Sequence, residues 1–256
     1  MMEEMPAEPR PEQPPFEAPP HLPERDPFWG YSDLLIFIGL AIPSLLLGYG
    51  IVKGFFWIFH LHPALKAWEL LPEQFAGYGF LFGALCALFR TQYDRPFWRS
   101  LGWFRPAIPV SQIVLAGVVA VVAVGLIGAL IHIPTVDNPM LELLKDRTSL
   151  ILIAIFGTTI GPLCEELAFR GFLQPLFVRT LGPVPGILAA ALPFGLLHFQ
   201  EYGNSWKHVL LISLAGAAFG WMRHATGSTK ASTLMHAAYN GFQFVLLFAA
   251  KAQGQV

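Results

Sequence analysis

Charged residues are scarce in this sequence. Only 13% of its 256 residues are Asp, Glu, Lys or Arg and 54% are hydrophobic, whereas an ordinary soluble domain is about 25% charged. The formal net charge is −1, and no nucleic-acid partner is expected for a chain without a basic excess. The composition excludes an ordinary soluble domain and indicates an integral membrane protein.

Cysteine is nearly absent, and so is any signal for cleavage near the start of the chain. Cys86 and Cys164 lie inside apolar runs and predict no disulfide framework. Residues 1–27 lack a basic stretch followed by an apolar one, which argues against a cleavable signal peptide. They contain nine of the 22 prolines and seven of the 17 acidic residues, a composition typical of disorder. We expect residues 1–30 to form a disordered, Pro/Glu-rich cytoplasmic tail.

Long apolar segments, by contrast, are abundant. A helix needs about 20 mainly apolar residues to cross a bilayer, and seven segments come close to that length. They lie near residues 34–59, 74–90, 110–132, 149–179, 184–200, 207–222 and 231–250. The first contains Pro43 and Lys53, so it is either kinked or followed by an interfacial piece. The sequence therefore predicts an all-α polytopic bundle of about seven transmembrane helices, with eight as the alternative.

The distribution of Lys and Arg sets the expected orientation. With the N-terminus inside and seven spans, ten of these residues fall on the inner side and five on the outer side. This asymmetry agrees with the positive-inside rule. The basic aromatic loop between Arg90 and Arg105 suits anionic headgroups. We expect the N-terminus and this loop in the cytoplasm.

A few ionisable side chains interrupt the apolar segments after residue 149. Glu165 and Glu166 follow a long apolar run, and Arg170 lies one helical turn beyond Glu166, close enough to pair with it. A charged group near the bilayer centre costs about 3 kcal/mol even on a lenient scale. Residues that remain there despite this cost are candidates for a function.

Two further segments carry imidazoles. His198 ends the apolar run after Pro193, while His236 and Asn240 lie four residues apart and therefore share one helix face. The Leu181–Gly186 segment contains two prolines and two glycines, which predicts a tight turn between helices. Residues 165 and 198 are equidistant from this turn, each about 16 residues or roughly 24 Å away along a helix. We therefore expect the Glu165 carboxylate and the His198 imidazole to face each other inside the bilayer.

These residue types fit the hydrolysis of a carbonyl compound. A carboxylate beside an imidazole can act as a general base on water, which assigns this task to Glu165 and His198. His236 and Asn240 offer N–H donors to an oxyanion. Arg170 would neutralise Glu166. Zinc held by Glu165, His198 and His236 remains an alternative, although the HExxH arrangement is absent.

Three short motifs carry a family resemblance. The segment CEELAFRG contains Glu165, Glu166 and Arg170 in the pattern EExxxR, FGLLH contains Phe194 and His198 in the pattern FxxxH, and HAAYN contains His236 and Asn240 in the pattern HxxxN. In this order they resemble the CPBP family of intramembrane proteases, which includes type II CAAX prenyl endopeptidases and relatives linked to bacteriocin processing. The resemblance covers roughly residues 110–250.

The resemblance implies a catalytic transmembrane core over 110–250, preceded by N-terminal helices and the basic loop over 31–109. It implies an intramembrane endopeptidase with catalytic Glu165, Glu166, His198, His236 and Asn240, supported by Arg170 and Phe194. Family labels call such enzymes metalloendopeptidases, but a metal-free mechanism is favoured, with no cofactor and zinc as the alternative. The expected partners are the lipid bilayer and a membrane-associated protein or peptide, prenylated or not. The expected location is a bacterial inner membrane.

Other functions use the same residue types. Intramembrane Glu, His and Arg also build proton relays, so a proton-coupled transporter or a non-catalytic membrane scaffold is the alternative. A transporter is expected to show repeated halves with broken helices, and the sequence shows no convincing repeat. Glu201 and Tyr202 are candidates for the mouth of a cavity.

Overall fold

A computed structural model describes residues 26–134 and 143–253. Within these ranges the regular structure is entirely helical. The first helices are α1 (Tyr31–Ile58), α2 (Ala67–Tyr93), the short α3 (Phe97–Ser100) and α4 (Val110–Leu130). They are followed by α5 (Arg147–Thr158), α6 (Ile160–Glu166), a π-helical segment (Leu167–Leu173), α7 (Gln174–Leu181), α8 (Pro183–Leu197), α9 (Trp206–Thr226) and α10 (Thr229–Ala252). The prediction of an all-α fold is confirmed.

The surface of the bundle is apolar, as a bilayer requires. Large aliphatic side chains point outwards, and Leu35, Leu126 and Leu197 are 70%, 62% and 73% exposed. Three helical stretches are long and apolar enough to cross a membrane, namely Tyr31–Ile58, Val110–Leu130 and Arg147–Leu181. Each of the seven predicted segments coincides with a helix or with a consecutive set of helices. An all-α membrane protein follows from this, while the number of spans stays a prediction.

The fourth predicted segment is not one regular helix. The helix over 147–181 breaks at Thr159, whose φ and ψ are −128° and −82°, and it widens into the π-helical segment at Leu167–Leu173. Widened turns of this kind are frequent at functional sites, because they change the direction in which side chains leave the helix. The break and the π-helical segment flank Glu165 and Glu166.

The structure has the turn predicted at Leu181–Gly186, but this turn is only one residue long. Gly182 has a φ of +84° and alone separates α7 from α8, which begins at Pro183. Proline is tolerated there, because the first helical N–H has no intrahelical partner. Gly186 lets the helices touch, since a Cβ at this position would lie 2.5 Å from the backbone nitrogen of Val178. A single residue, Gly182, therefore connects the antiparallel helices α7 and α8.

The residues just before α1 correct the predicted boundary of the tail. Trp29 is 2% exposed, stacks on Phe89 and Phe172, and donates its indole N–H to the carbonyl oxygen of Phe172. The Arg179 guanidinium donates to the carbonyl oxygen of Pro27. The boundary at residue 30 was therefore wrong, because residues 27–30 already belong to the packed structure. The rest of the predicted tail, residues 1–25, lies outside the described residues.

Candidate active site

A cavity of about 600 Å³ lies among α2, α5, α6, α8, α9 and α10. This volume falls within the range that small ligands occupy in proteins. Its lining includes Glu165, His198, His236 and Asn240 together. The predicted convergence of the three motifs on one site is therefore seen in the structure. The chemical role of each residue is a separate question, which depends on what it contacts.

Glu166 lies behind the cavity wall and is fully buried. Its Oε1 atom accepts hydrogen bonds from Arg170 Nη1 at 2.9 Å and from His236 Nδ1 at 3.0 Å. Arg170 is also buried, and its Nη2 atom donates to the carbonyl oxygen of Gly216 at 2.8 Å. The predicted pairing of Glu166 with Arg170 is therefore present. The carboxylate of Glu166 therefore binds Arg170 and, through His236, connects to α10. It does not face the cavity.

This pairing also fixes the proton on His236. A carboxylate only accepts hydrogen bonds, so the Nδ1 atom that contacts Glu166 carries the hydrogen. The other ring nitrogen, Nε2, lies 3.8 Å from Glu165 Oε2. The ring is stacked on Phe219, with centroids 4.4 Å apart and planes 19° apart. His236 is thus held in one orientation with Nε2 towards Glu165.

Glu165 has a different environment from its neighbour Glu166. Its side chain is 27% exposed while that of Glu166 is 0% exposed, and it lines the cavity. The imidazole of His236 lies 3.8 Å from its carboxylate. Both Glu165 and His198 line the cavity, but no ion pair joins them within the described ranges, so the predicted facing of these two groups stays a prediction.

His198 ends α8 at the cavity wall. Its Nδ1 atom lies 2.9 Å from the carbonyl oxygen of Phe194, which can only accept, so Nδ1 carries the hydrogen and Nε2 has a free lone pair. The Phe194 ring packs against that of His198, with centroids 5.3 Å apart. The Arg170 guanidinium lies 4.3 Å from the centre of the same Phe194 ring. Phe194 therefore contacts both His198, which it was expected to hold in place, and Arg170, which was not expected.

Asn240 lies one turn after His236 on α10. Its Nδ2 atom donates to the carbonyl oxygen of Gly157 at 2.8 Å, close to the break between α5 and α6. An amide nitrogen carries two hydrogens, so this bond leaves a second N–H at the cavity. Because the first bond fixes the side chain, the second N–H has a defined direction.

Close packing of α9 supports the buried network. A Cβ on Gly216 would lie 2.8 Å from Phe194 Cδ1 and 3.0 Å from Arg170 Nη2. One turn later, the carbonyl oxygen of Gly220 accepts from Gln174 Nε2 at 2.9 Å. Small residues let helix backbones approach closely in membranes. Here they let the α9 backbone serve as a hydrogen-bond acceptor for the π-helical segment and α7.

The sequence did not reveal the contribution of the N-terminal half. Gln74 and Tyr78 on α2 line the cavity, and Tyr78 interacts electrostatically with Glu165 and Glu201. Both residues are ordinary members of an apolar helix and belong to no motif. Only the packing of α2 against α5 shows that they face this site. Glu201 and Tyr202 line the cavity as well, as the sequence suggested.

The donor set does not fit the zinc alternative. Catalytic zinc needs three protein ligands around one point, and no group of three His, Cys, Asp or Glu side chains able to hold a metal occurs in the described ranges. His236 has Nδ1 engaged with Glu166 at 3.0 Å and Nε2 at 3.8 Å from Glu165.

A comparison with known protein families gives a match in the second half of the chain. Residues 147–242 match the family model described as type II CAAX prenyl endopeptidase Rce1-like. This region is similar to an Rce1-like domain. The match confirms the resemblance inferred from the three motifs. No curated protein and no solved structure matches the chain significantly.

The Rce1-like match spans every motif residue, from Glu165 to Asn240. It leaves out α1 and α2, although α2 contributes Gln74 and Tyr78 to the cavity wall. At the level of the family, the match indicates a membrane-embedded peptide hydrolase of the CAAX type that acts on a protein in the membrane. In this structure, a helix that precedes the matched region therefore forms part of the cavity wall.

Proposed function

We propose that the protein is an intramembrane endopeptidase in which Glu165 and His198 activate water. The observation that carries the proposal is that these two groups line one cavity while Glu166 is buried behind it against Arg170. Glu165 keeps its basic oxygens for the cavity, and His198 presents the unprotonated Nε2. Both are proton acceptors of the kind that general-base catalysis requires.

In the first step, a water between Glu165 and His198 attacks the carbonyl carbon of the scissile bond. Its proton passes to Glu165 as the new C–O bond forms, and the carbonyl π electrons move to oxygen. His198 Nε2 accepts the second hydrogen bond of the water and so orients it. Holding water near its target in this way removes much of the entropy loss from the barrier.

The oxyanion that forms in this step needs hydrogen-bond donors to stabilise its charge. The second N–H of Asn240 suits this task in any protonation state, because the first is bound to Gly157. His236 Nε2 can donate only when the ring is doubly protonated, since Nδ1 already holds a hydrogen towards Glu166. Asn240 is therefore assigned as the principal donor, and His236 adds a second donor when its ring is doubly protonated.

In the second step, the tetrahedral intermediate collapses. The oxyanion electrons re-form the carbonyl, the C–N bond breaks, and Glu165 returns its proton to the leaving amine. The products are a carboxylic acid and an amine, so the atoms of water and peptide balance. Water serves as the sole co-substrate.

The proposed substrate is a membrane-associated protein or peptide. Whether it must be prenylated is tested by comparing farnesylated and unmodified peptides. The proposed setting is a bacterial inner membrane with the N-terminus in the cytoplasm, supported by the excess of Lys and Arg in the loops assigned to that side. No cofactor is proposed. A chelator should therefore leave the rate unchanged.

The test is cleavage of a quenched fluorescent peptide library by the purified protein in detergent. Some members are farnesylated, and a chelator is titrated in parallel. The wild-type protein should cleave at least part of the library, and Glu165→Ala and His198→Ala should abolish cleavage while remaining folded. Normal turnover by either variant contradicts the mechanism. Loss of activity with the chelator contradicts the metal-free assignment.

Matched controls come from the same residue types outside the cavity. His224 is exposed near the end of α9, so His224→Ala should cleave at the wild-type rate. Asp94, which forms an exposed pair with Arg90, provides the carboxylate control as Asp94→Asn. Absence of cleavage across the whole library would favour the transporter or scaffold alternative.

A further inference from the structure

The oxyanion of the proposed reaction can accept more hydrogen bonds than the motif residues supply. Asn240 offers it one N–H, because its amide group also binds the carbonyl oxygen of Gly157. His236 holds the hydrogen on Nδ1 towards Glu166, so its Nε2 atom donates only when the ring is doubly protonated. With a neutral His236, the oxyanion therefore receives a single hydrogen bond from the motifs. A second neutral donor on the cavity wall would stabilise it further.

Three tyrosines, Tyr78, Tyr202 and Tyr239, line the cavity. A tyrosine hydroxyl stays protonated near neutral pH and can donate a hydrogen bond. The ring of Tyr202 is stacked on His208, with centroids 5.0 Å apart. The ring of Tyr239 packs edge-on against Phe219 at 5.4 Å, and its electrostatic neighbour is Tyr202 rather than a carboxylate. Tyr78 is the candidate that reaches the cavity from the N-terminal half of the chain.

Tyr78 faces the part of α6 that carries the proposed general base. Its hydroxyl interacts electrostatically with Glu165 and with the preceding residue, Cys164. Within residues 26–134 and 143–253, no hydrogen bond engages this hydroxyl. The O–H is therefore available to a ligand in the cavity. Because the water at Glu165 must reach the carbonyl carbon, a donor close to Glu165 is also close to the carbonyl under attack.

Tyr78 and Asn240 both border the α5 side of the cavity. Helix α2 packs against α5, and the α5 residue Gly157 holds the side chain of Asn240 through its carbonyl oxygen. Gln74, one turn before Tyr78, lines the same wall, so one face of α2 turns polar groups towards the cavity. A substrate carbonyl that points its oxygen to this side would meet donors from α2 and α10.

We infer that the Tyr78 hydroxyl donates a hydrogen bond to the oxyanion, beside the amide of Asn240. Tyr78 is then a catalytic residue outside the three motifs and outside the matched region 147–242. It gives α2 a chemical role besides closing the cavity. The inference rests on the proposed function, because the hydroxyl acts on the intermediate of that reaction.

The first test is Tyr78→Phe, which removes the hydroxyl and keeps the ring. It should lower kcat by about 10²-fold and change KM by less than about threefold, because the bond forms only in the transition state. Tyr49→Phe on α1 is the matched control, since this side chain is 51% exposed on the outer surface and its variant should cleave at the wild-type rate. A wild-type kcat for Tyr78→Phe overturns the inference, as does a comparable loss found in Tyr202→Phe instead.

The second test measures binding, which separates a catalytic role from a structural one. One peptide carries a phosphinate at the scissile position and so places a charged oxygen where the oxyanion forms, while its partner carries an ethylene group without that oxygen. Tyr78→Phe should weaken binding of the phosphinate peptide by about the factor by which it lowers kcat/KM, and leave the Kd of the ethylene peptide within about threefold. An equal loss for both peptides would show a structural role and overturn the inference.

The two proposals can fail separately. Normal cleavage by both the wild-type protein and Tyr78→Phe overturns the role of Tyr78 and leaves the proposed function standing. Absence of cleavage by the wild-type protein contradicts the proposed function. In that case, selective loss of phosphinate binding in Tyr78→Phe would still support a donor at this position, and unchanged binding would overturn it.

Discussion

The cavity wall and the packed core behind it use the same residue types under opposite conditions. In the core, Glu166 is fully buried and contacts both Arg170 and His236. On the wall, Glu165 is 27% exposed and lies 3.8 Å from His236, and no Lys or Arg lines the cavity within the described ranges. Two adjacent glutamates thus differ in whether their charge is offset. The carboxylate of Glu166, whose charge is offset by Arg170, stabilises the structure. The carboxylate of Glu165, which has no such cation beside it, is available as a proton acceptor.

The largest effect is expected from removing the compensation in the core. Arg170→Met leaves the carboxylate of Glu166 buried beside a neutral side chain, and such a loss destabilises a protein by about 3–5 kcal/mol. Thermal unfolding in detergent should show a large fall in Tm. Adding Glu166→Gln should recover part of it, because the buried charge is then gone. A wild-type Tm for Arg170→Met would refute the structural role of the pair.

A substitution that faces the cavity should lower the catalytic rate more than the thermal stability. Asn240→Ala removes the proposed oxyanion donor, which should lower kcat by about 10²-fold with a smaller change in KM. Its bond to Gly157 is lost as well, so Tm is measured in the same samples. An unchanged kcat would remove Asn240 from the reaction.

A substitution at Gly216 can disturb the packing between the cavity wall and the core without changing any charge. Gly216→Ala places a methyl group 2.8 Å from Phe194 Cδ1, and overpacking of this kind costs about 1–3 kcal/mol. The variant should lower Tm and reduce activity by displacing Arg170 and Phe194. Gly125→Ala on α4 is the matched control, because a Cβ there meets nothing within 4 Å. Equal Tm values for the two variants would contradict the close packing.

The smallest effect concerns pH. Burial, followed by the neighbouring Glu165, raises the pKa of Glu201, while His198 acts in the opposite direction. The groups facing Glu201 are Glu165, His198, Tyr78 and Tyr202. A raised pKa means that the carboxyl gains its charge only at a higher pH than an exposed glutamate does. The ratio of kcat/KM between the wild type and Glu201→Gln should therefore change from pH 5.5 to pH 8, as the Glu201 carboxyl gains its charge, and a constant ratio would contradict an effect of that charge on the cavity.

The sequence predicted the fold class and singled out the motif residues that line the cavity, because both leave local signals. Apolar runs predict helices, and the scarcity of charge makes Glu165, His198 and His236 conspicuous. The break at Thr159 and the π-helical segment had no such signal, since packing against α9 and α10 decides them. The role of α2 was missed for the same reason, because Tyr78 reaches the cavity only through tertiary contacts. Trp29 was assigned to the tail on composition, although its ring fills a pocket between Phe89 and Phe172.

The most direct test of the account compares Glu165→Gln with Glu166→Gln, measuring peptide cleavage and Tm on the same preparations. Both changes remove one carboxylate charge from adjacent residues, so they serve as controls for each other. Glu165→Gln should abolish cleavage and keep Tm near the wild-type value, whereas Glu166→Gln should lower Tm by disrupting the contacts with Arg170 and His236. A stable but inactive Glu166→Gln beside an active Glu165→Gln would contradict the assignment of the two carboxylates.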